Sequence, residues 1–263
     1  MKPIDIVITF HIKDEKNLKY TVNSIRQFVQ FSNIYIVTKI ENYEIVDNLN
    51  CKFINENIIG SDLCKEILNE KRGGWYLQQI LKLYAFNFVT TQNYLVIDAD
   101  TVILKNLVFI QNNKPLYLIN YHVFEPYFKG INYLLGIDNE LDFSFISHHM
   151  IFDKEIVKQL IYEIELYTKT NWINAILNIL YKNDKNISFS EFETYGNFLL
   201  NKNVEITYRK LHTIDIPIKP NIFLIKLYSY KYDMISFHNY SWASNSVFYR
   251  IIKTIKYFFL FFR

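Results

Sequence analysis

Short apolar runs alternate with helically spaced apolar positions along the first half of the chain. Strands are predicted at Ile4–Phe10, Asn33–Val37, Lys52–Ile54, Tyr94–Ile97 and Leu116–Ile119. Between the first two, Asn17–Gln30 carries apolar residues at a spacing of three to four, and Trp75–Val89 repeats that spacing before the fourth strand. This alternation predicts an α/β fold with a mostly parallel central sheet and helices on both faces.

The second half of the chain is less regular. Helices are predicted at Lys154–Tyr167, Trp172–Tyr181 and Glu191–Asn201, and a strand at Val204–Tyr208. Neither an internal repeat nor a low-complexity linker separates the two halves. We therefore expect a single domain over residues 1–245, with halves at 1–120 and 121–245, followed by a tail at 246–263.

The composition is that of a globular protein. Half of the 263 residues are hydrophobic and 21% are charged, which is enough apolar surface for a sizeable core. Two cysteines, Cys51 and Cys64, are too few for a disulfide framework, and a reduced cytoplasmic compartment is expected. The start "MKPIDIVITF" lacks the features of a signal peptide, and no apolar run reaches 18 residues, so no transmembrane helix is expected.

Charge is distributed unevenly. The formal net charge is +3, yet no acidic residue follows Asp233, and four cations fall in the final stretch. This asymmetry argues against a general nucleic-acid surface, so no nucleic-acid partner is expected. The tail "FYRIIKTIKYFFLFFR" combines cations with Ile and Phe. This suits peripheral contact with an anionic inner membrane, and a helix packed on the domain is the alternative.

The stretch "NYLVIDADTVILKN" holds two aspartates directly after a hydrophobic strand. In a parallel sheet, ligands bind at the carboxyl ends of the strands, where Asp98 and Asp100 are expected. Alternation along an extended chain points both carboxylates to the same side, where they could hold Mg²⁺ or Mn²⁺. The alternative is that the aspartates only begin a polar loop.

Three blocks carry a resemblance to a known family. "YLVIDADTVILKN", preceded by "RGGWYLQQILKLYAF" and followed by "FSEFETYGNFLL", resembles bacterial GT-A fold glycosyltransferases with a DxD motif. The resemblance implies a divalent metal, Mn²⁺ or Mg²⁺, held by Asp98 and Asp100. It also implies a nucleotide-sugar donor, with UDP-sugars favoured, bound by residues 1–120, and a glycan or lipid-linked oligosaccharide acceptor bound by residues 121–245.

The cysteine count, the basic aromatic tail and the resemblance together indicate a place in the cell and a process. The protein would work in the cytoplasm, or peripherally on the inner face of the cytoplasmic membrane. Its acceptor would belong to lipopolysaccharide, lipooligosaccharide or capsule biosynthesis, and the reaction is expected to invert the anomeric centre, with retention left open.

Several residues are candidates for binding the donor. Thr9 and His11 follow the first strand, where GT-A proteins commonly hold the nucleobase and ribose. Arg72 could reach the diphosphate, because a guanidinium matches phosphate oxygens. Asp14 is a further candidate in the loop after the first strand, with a helix cap as its structural alternative. For Arg72 the alternative is a flexible turn at the start of the helix.

The helix predicted at Trp75–Val89 adds two further donor-site candidates. Gln78, Gln79 and Lys82 fall mostly off its apolar stripe. Gln78 and Gln79 need hydrogen-bond partners if half-buried, which a nucleotide or sugar would supply. A solvated helix face is the structural alternative.

Candidates for catalysis and for a third metal ligand lie further along the chain. From the pair in "SFISHHM" we expect His148 to face the site, because adjacent residues in a strand face opposite ways. Glu191 and Glu193 are candidates for the general base that deprotonates the acceptor, although Ser190 and Glu193 also form a capping-box pattern. His238 could be a third metal ligand, as the resemblance implies, or a buried structural histidine.

Two other functions remain as alternatives. "DADTV" also matches the motif of haloacid-dehalogenase-type phosphatases, in which Asp98 would be the nucleophile. In those enzymes the motif follows the first strand, whereas here about 97 residues precede it. A non-catalytic glycan-binding protein is the other alternative.

Overall fold

The computed structural model describes residues 3–139 and 141–237. The strands of this part are β1 Ile4–Thr9, β2 Phe31–Thr38, β3 Lys52–Asn55, β4 Asn93–Ile97, β5 Thr101–Ile103, β6 Ile110–Gln111, β7 Lys114–Leu118, β8 His149–Asp153, β9 Thr207–Arg209, β10 Thr213–Asp215 and β11 Met234–Ser236. Its helices are α1 Glu15–Phe28, α2 Tyr43–Asn48, α3 Ser61–Asn69, α4 Gly73–Tyr84, α5 Glu125–Leu135, α6 Lys154–Thr168, α7 Trp172–Lys182, α8 Glu191–Asn201 and α9 Ile222–Ser229.

The central sheet has five strands in the order β3-β2-β1-β4-β8. Its first three pairings are parallel, whereas β8 runs antiparallel to β4. The predicted mostly parallel α/β sheet is therefore confirmed. All six residues of β1, in the middle of the sheet, are buried, so both faces of the sheet are covered there. The edge strand β3 is only partly covered.

One predicted member of the central sheet lies elsewhere. β7, expected as the next parallel strand, pairs instead with β6 and β9 in a separate three-stranded sheet. The reason is that β8 occupies the position beside β4, with Ile97 opposite His149. The expected strand at Val204–Tyr208 is shorter and lies at Thr207–Arg209, as β9.

The second half of the chain supplies a layer beside the carboxyl ends of the central strands. β5 follows β4 after a three-residue connection and pairs with β11, which in turn pairs with β10. α9 covers this small sheet, and a second hydrophobic cluster forms between them around Val102, Tyr228 and Ile235. This C-terminal layer, formed by β5, β10, β11 and α9, therefore lies next to the Asp98–Asp100 segment.

None of the helices within residues 3–139 and 141–237 is both long and apolar enough to cross a membrane.

α8 packs closely against the loop that precedes β8. A Cβ added at Gly196, in the middle of α8, would meet the ring of Phe145 at 2.2 Å, and that ring is fully buried. Gly74, near the start of α4, differs, because its added Cβ would meet only the Leu68 side chain at an ordinary 3.9 Å.

We therefore expect Gly196→Ala to lower the free energy of unfolding by about 1–3 kcal/mol through overpacking. Gly74→Ala is the matched control and should be neutral or stabilising by about 0.5 kcal/mol, because alanine loses less backbone entropy in a helix. Urea unfolding followed by circular dichroism measures both. Equal stability of the two variants would contradict the close packing of α8 on Phe145.

Candidate active site

The Asp98–Asp100 segment forms a turn. The amide of Thr101 donates to the carbonyl of Asp98 at 3.1 Å, which reverses the chain directly after β4. The amide of Asp98 donates to the carbonyl of His148 at 3.0 Å and so extends the β4–β8 pairing by one residue. The expectation that the chain is extended through Asp98–Asp100 is therefore wrong, and strand alternation does not relate the directions of the two carboxylates here.

A lysine from a helix contacts the first aspartate. The Lys82 Nζ lies 2.8 Å from Asp98 Oδ1 and 2.9 Å from Glu191 Oε1. It also lies over the ring of Phe192, 4.7 Å from the centroid. α4, the end of β4 and the start of α8 therefore meet at one ammonium group. This cation offsets the charge of the two carboxylates.

Burial and charge act against each other in this cluster. Burial lowers the pKa of Lys82, but Asp98 and Glu191 outweigh it and raise that pKa above its ordinary value. Burial also raises the pKa of Asp98, yet Lys82 and then His148 lower it far below its ordinary value. The pKa of Glu191 remains raised, because burial exceeds the effect of Lys82 there. Glu191 is thus the carboxyl of the cluster that most readily holds a proton.

His148 connects the cluster to the C-terminal layer. Its Nδ1 lies 3.5 Å from Asp98 Oδ2, and its Nε2 lies 2.8 Å from Asp215 Oδ1 at the end of β10. Burial lowers the pKa of His148, but the contacts with Asp215 and Asp98 raise it to about 10. The neighbouring His149 is buried edge-on against the ring of Phe109. Only His148 of the pair therefore faces the aspartates.

The start of α8 is capped by Ser190, whose side chain accepts from the Glu193 amide at 3.3 Å. This half of the capping box is confirmed. The Glu193 carboxylate does not reach back to the cap. It accepts from the Ser144 hydroxyl, from the Phe145 amide at 3.2 Å and from the Asn197 side chain at 3.1 Å. Glu193 is 1% exposed and joins α8 to the loop before β8.

The two glutamines of α4 have different surroundings. Gln79 is buried; its Oε1 accepts from the Glu191 amide at 3.2 Å, and its Nε2 donates to the Trp75 carbonyl at 3.3 Å. Gln79 thus holds the first amide of α8 in place. Gln78 is half-buried on the same helix. Lys82, expected off the apolar stripe with these glutamines, is buried, and its ammonium pairs with the buried Glu191 carboxylate and the half-buried Asp98 carboxylate.

The remaining donor-site candidates lie around the same edge of the sheet. Thr9 ends β1, whose Val7 is opposite Val96, so Thr9 and Asp98 lie at neighbouring strand ends. His11 is exposed, and its Nδ1 accepts from the Lys13 amide at 3.2 Å. Its side chain therefore starts the short turn before α1.

Arg72 precedes α4 in a left-handed conformation, with φ of 68°. Its guanidinium lies over the Trp75 ring, 4.2 Å from the centroid, and Trp75 stacks on Tyr127 of α5. The exposed arginine is thus held by aromatic rings, about two helical turns before Gln79 on α4.

The described residues do not by themselves form a metal site. Within residues 3–139 and 141–237, no group of three or more His, Cys, Asp and Glu side chains could hold a metal ion. The Asp98 carboxylate is already bound by Lys82 and His148. His238, the expected third ligand, lies outside the described residues. A metal on Asp98, Asp100 and His238 therefore stays a prediction.

Sequence reasoning missed two members of the cluster, Lys82 and Asp215. Lys82 carried a signal, since it is a single cation within the otherwise apolar stretch "ILKLY", on the helix before the Asp98 strand. A lysine in such a position needs a carboxylate partner. Asp215 carried no signal, because its contact with His148 spans 67 residues.

Comparison with known proteins gives a family and a fold. A family model described as "Family of unknown function (DUF6492)" matches residues 1–242. No curated protein matches the chain.

Among solved structures, an active-site mutant of LgtC is similar with a TM-score of 0.50 at 11% identity, over 96% of both chains. The galactosyltransferase LgtC with donor and acceptor sugar analogues gives 0.48 at 11% identity, again over 96% of each chain. Mouse xyloside xylosyltransferase 1 gives 0.47 at 10% identity, over 89% of this chain and 97% of that one. The match with a TM-score of 0.50 indicates the GT-A fold, and at 11% identity it shows the fold alone.

The contacts of Lys82 lead to a prediction about stability. Lys82→Met would leave Asp98 and Glu191 without their shared cation, and we expect a loss of about 3–5 kcal/mol in the free energy of unfolding. Lys105→Met is the matched control, because Lys105 pairs with Asp233 at 3.1 Å with its side chain 41% exposed. The loss in the free energy of unfolding caused by Lys105→Met should stay below about 1 kcal/mol.

Denaturant unfolding of both variants measures these losses. If Lys82→Met were no more destabilising than Lys105→Met, the buried ion cluster would not be formed as described.

Proposed function

Since the chain belongs to the DUF6492 family and has the GT-A fold, we propose that it is a glycosyltransferase. It would move a sugar from a nucleotide-diphosphate sugar, with UDP-sugars favoured, to a glycan acceptor. The observation that carries this proposal is the cluster of Lys82, Asp98, Glu191 and His148 at the carboxyl ends of parallel strands. Ligands of open α/β sheets bind at that edge.

The electrostatics of the cluster support a chemical role. Buried ionisable groups with shifted pKa values and specific charge partners are typical of active sites. The cluster has two cations, since the raised pKa of His148 keeps it protonated at neutral pH. At this edge of the sheet, an anionic diphosphate would therefore meet positively charged side chains as well as carboxylates.

We propose that a divalent cation, Mn²⁺ or Mg²⁺, takes part at Asp98 and Asp100, with His238 as the third ligand. When bound, it would act as a Lewis acid that offsets charge on the departing diphosphate. This step is supported by the two aspartates, because carboxylate oxygens are the ligands that these hard cations prefer. The described residues alone do not complete a ligand set. The chain's own cations, Lys82 and His148, would hold and orient Asp98 in either case.

For an inverting reaction the chain needs a general base at the acceptor hydroxyl. The geometry favours Glu191 over Glu193. The Glu193 carboxylate accepts from three donors that tie α8 to the preceding loop, whereas Glu191 lies at the ion cluster and has a raised pKa. His148 is less suited to be a base, because both ring nitrogens face carboxylates and its pKa is raised. A positioning role for His148 fits this arrangement.

The acceptor would be a glycan or a lipid-linked oligosaccharide, in lipopolysaccharide, lipooligosaccharide or capsule biosynthesis. Support comes from the sequence resemblance and from the basic aromatic tail at 246–263, which lies outside the described residues. The enzyme would act in the cytoplasm or at the inner face of the cytoplasmic membrane. The phosphatase alternative loses its support, because the motif follows β4 of a GT-A fold instead of a first strand.

The proposed function predicts that a nucleotide sugar binds at Asp98 and Asp100. Among UDP-, GDP- and CMP-linked sugars, we expect a UDP-sugar to raise the melting temperature in the presence of Mn²⁺, because binding to the folded state stabilises it. Asp100→Asn should abolish that rise. Asp62→Asn is the control, since Asp62 on α3 has a 98% exposed side chain and pairs with Lys65 at the surface.

The same proteins should be assayed for release of free sugar from the donor. A shift by UDP-sugar that survives Asp100→Asn unchanged would remove that aspartate from the donor site. Absence of any shift by all three donor classes would contradict the transferase proposal.

A further inference from the structure

α9 presents an apolar face to solvent beside the C-terminal layer. Ile222 is 59% exposed, Phe223 is 68% exposed and Tyr230, directly after the helix, is 85% exposed. A group of large apolar side chains that is exposed to solvent often marks a surface that binds a partner or a membrane. The other side of the helix is already used, since Leu224, Ile225 and Tyr228 pack on the second hydrophobic cluster.

Helical geometry places the exposed residues on one arc. Ile222, Lys226 and Tyr230 are four residues apart and so lie on one row of the helix, and Phe223 borders that row. Lys226 is exposed on the same row. We name these four residues the α9 face. Its make-up is two apolar side chains, one lysine and one tyrosine, on a helix whose inner side is anchored.

All the charged residues in the segment that carries the α9 face are lysines. Residues 216–232 contain Lys219, Lys226 and Lys231 and no acidic residue. The bordering acids are engaged elsewhere. Asp215 contacts His148 at 2.8 Å, and Asp233 contacts Lys105 at 3.1 Å and accepts from the His212 amide. The charge that this segment presents around the α9 face is therefore positive.

We propose that the α9 face seats the protein on an anionic lipid bilayer. Phe and Ile enter the boundary between headgroups and acyl chains, and lysines reach anionic headgroups while their stems lie along apolar surface. Tyrosine suits the same depth, because its ring is apolar and its hydroxyl polar. A stable protein interface usually needs roughly 20–30 residues a side, far more than these four. The α9 face shares no residue with the tail at 246–263.

The position of α9 connects the bilayer to the candidate active site. α9 packs on β11, which pairs with β5, and β5 directly follows the Asp98–Asp100 turn. The amide of Phe237, just after β11, donates to the carbonyl of Asp100 at 2.9 Å. The membrane would thus lie one layer from the aspartates. If the proposed function holds, this placement favours an acceptor that is linked to a lipid; the membrane contact itself does not depend on that function.

Co-sedimentation with vesicles tests the proposal, using the full chain. We expect binding to phosphatidylglycerol–phosphatidylcholine vesicles that weakens as salt is raised, and little binding to phosphatidylcholine alone. Ile222→Ser combined with Phe223→Ser should weaken binding to the anionic vesicles by about tenfold or more, because burial of these two side chains in the bilayer supplies the apolar part of the affinity. Lys226→Glu combined with Lys231→Glu should do the same at low salt.

The matched control replaces Tyr162 and Leu166 with serine. These side chains are 63% and 53% exposed and lie four residues apart on α6, next to charges of both signs. The control should bind vesicles like the wild type, and melting temperatures confirm that all variants fold. Unchanged binding of the Ile222/Phe223 variant, including binding carried by residues 246–263 alone, would overturn the proposal. So would failure of the wild type to bind anionic vesicles.

The thermal shift by UDP-sugar is measured on the same variants. It should persist in the Ile222/Phe223 variant, because those side chains are on the surface of α9. Loss of vesicle binding with donor binding intact supports the α9 face whatever the acceptor is. Absence of donor binding in the wild type bears only on the proposed function.

Discussion

The contact of one buried ammonium group with a buried and a half-buried carboxylate constrains the rest of this structure. Lys82 comes from α4, Asp98 from the end of β4 and Glu191 from the start of α8, so three elements from distant parts of the chain must meet within about 3 Å. Buried charges are costly unless they are paired. The arrangement therefore specifies how α8 docks, and Gln79 reinforces it by accepting from the Glu191 amide.

The fold delivers these groups because parallel strands end at the same edge. β1 and β4 run side by side, and the antiparallel β8 begins at that edge and brings His148 to Asp98. The C-terminal layer then closes on the other side of His148 through Asp215. A charged network therefore links the central sheet to this layer.

Much of this architecture could be predicted from the sequence. The central strands and the helix at Glu191–Asn201 follow from local periodicity, because each is a continuous apolar or capped segment. The turn after β4 could not, since an apolar run followed by Asp-Ala-Asp is equally compatible with an extended chain. The placement of β7 and the contact of His148 with Asp215 depend on pairing between distant segments, for which a single sequence holds no local pattern.

The most direct test of the account is a crystal structure with UDP and Mn²⁺. We predict that the diphosphate lies at the edge formed by Thr9 and the Asp98–Asp100 turn, with the Lys82 ammonium still within hydrogen-bond distance of Asp98 and Glu191. A nucleotide bound away from this edge, or a Lys82 that contacts neither carboxylate, would contradict the central claim that this buried cluster organises the donor site.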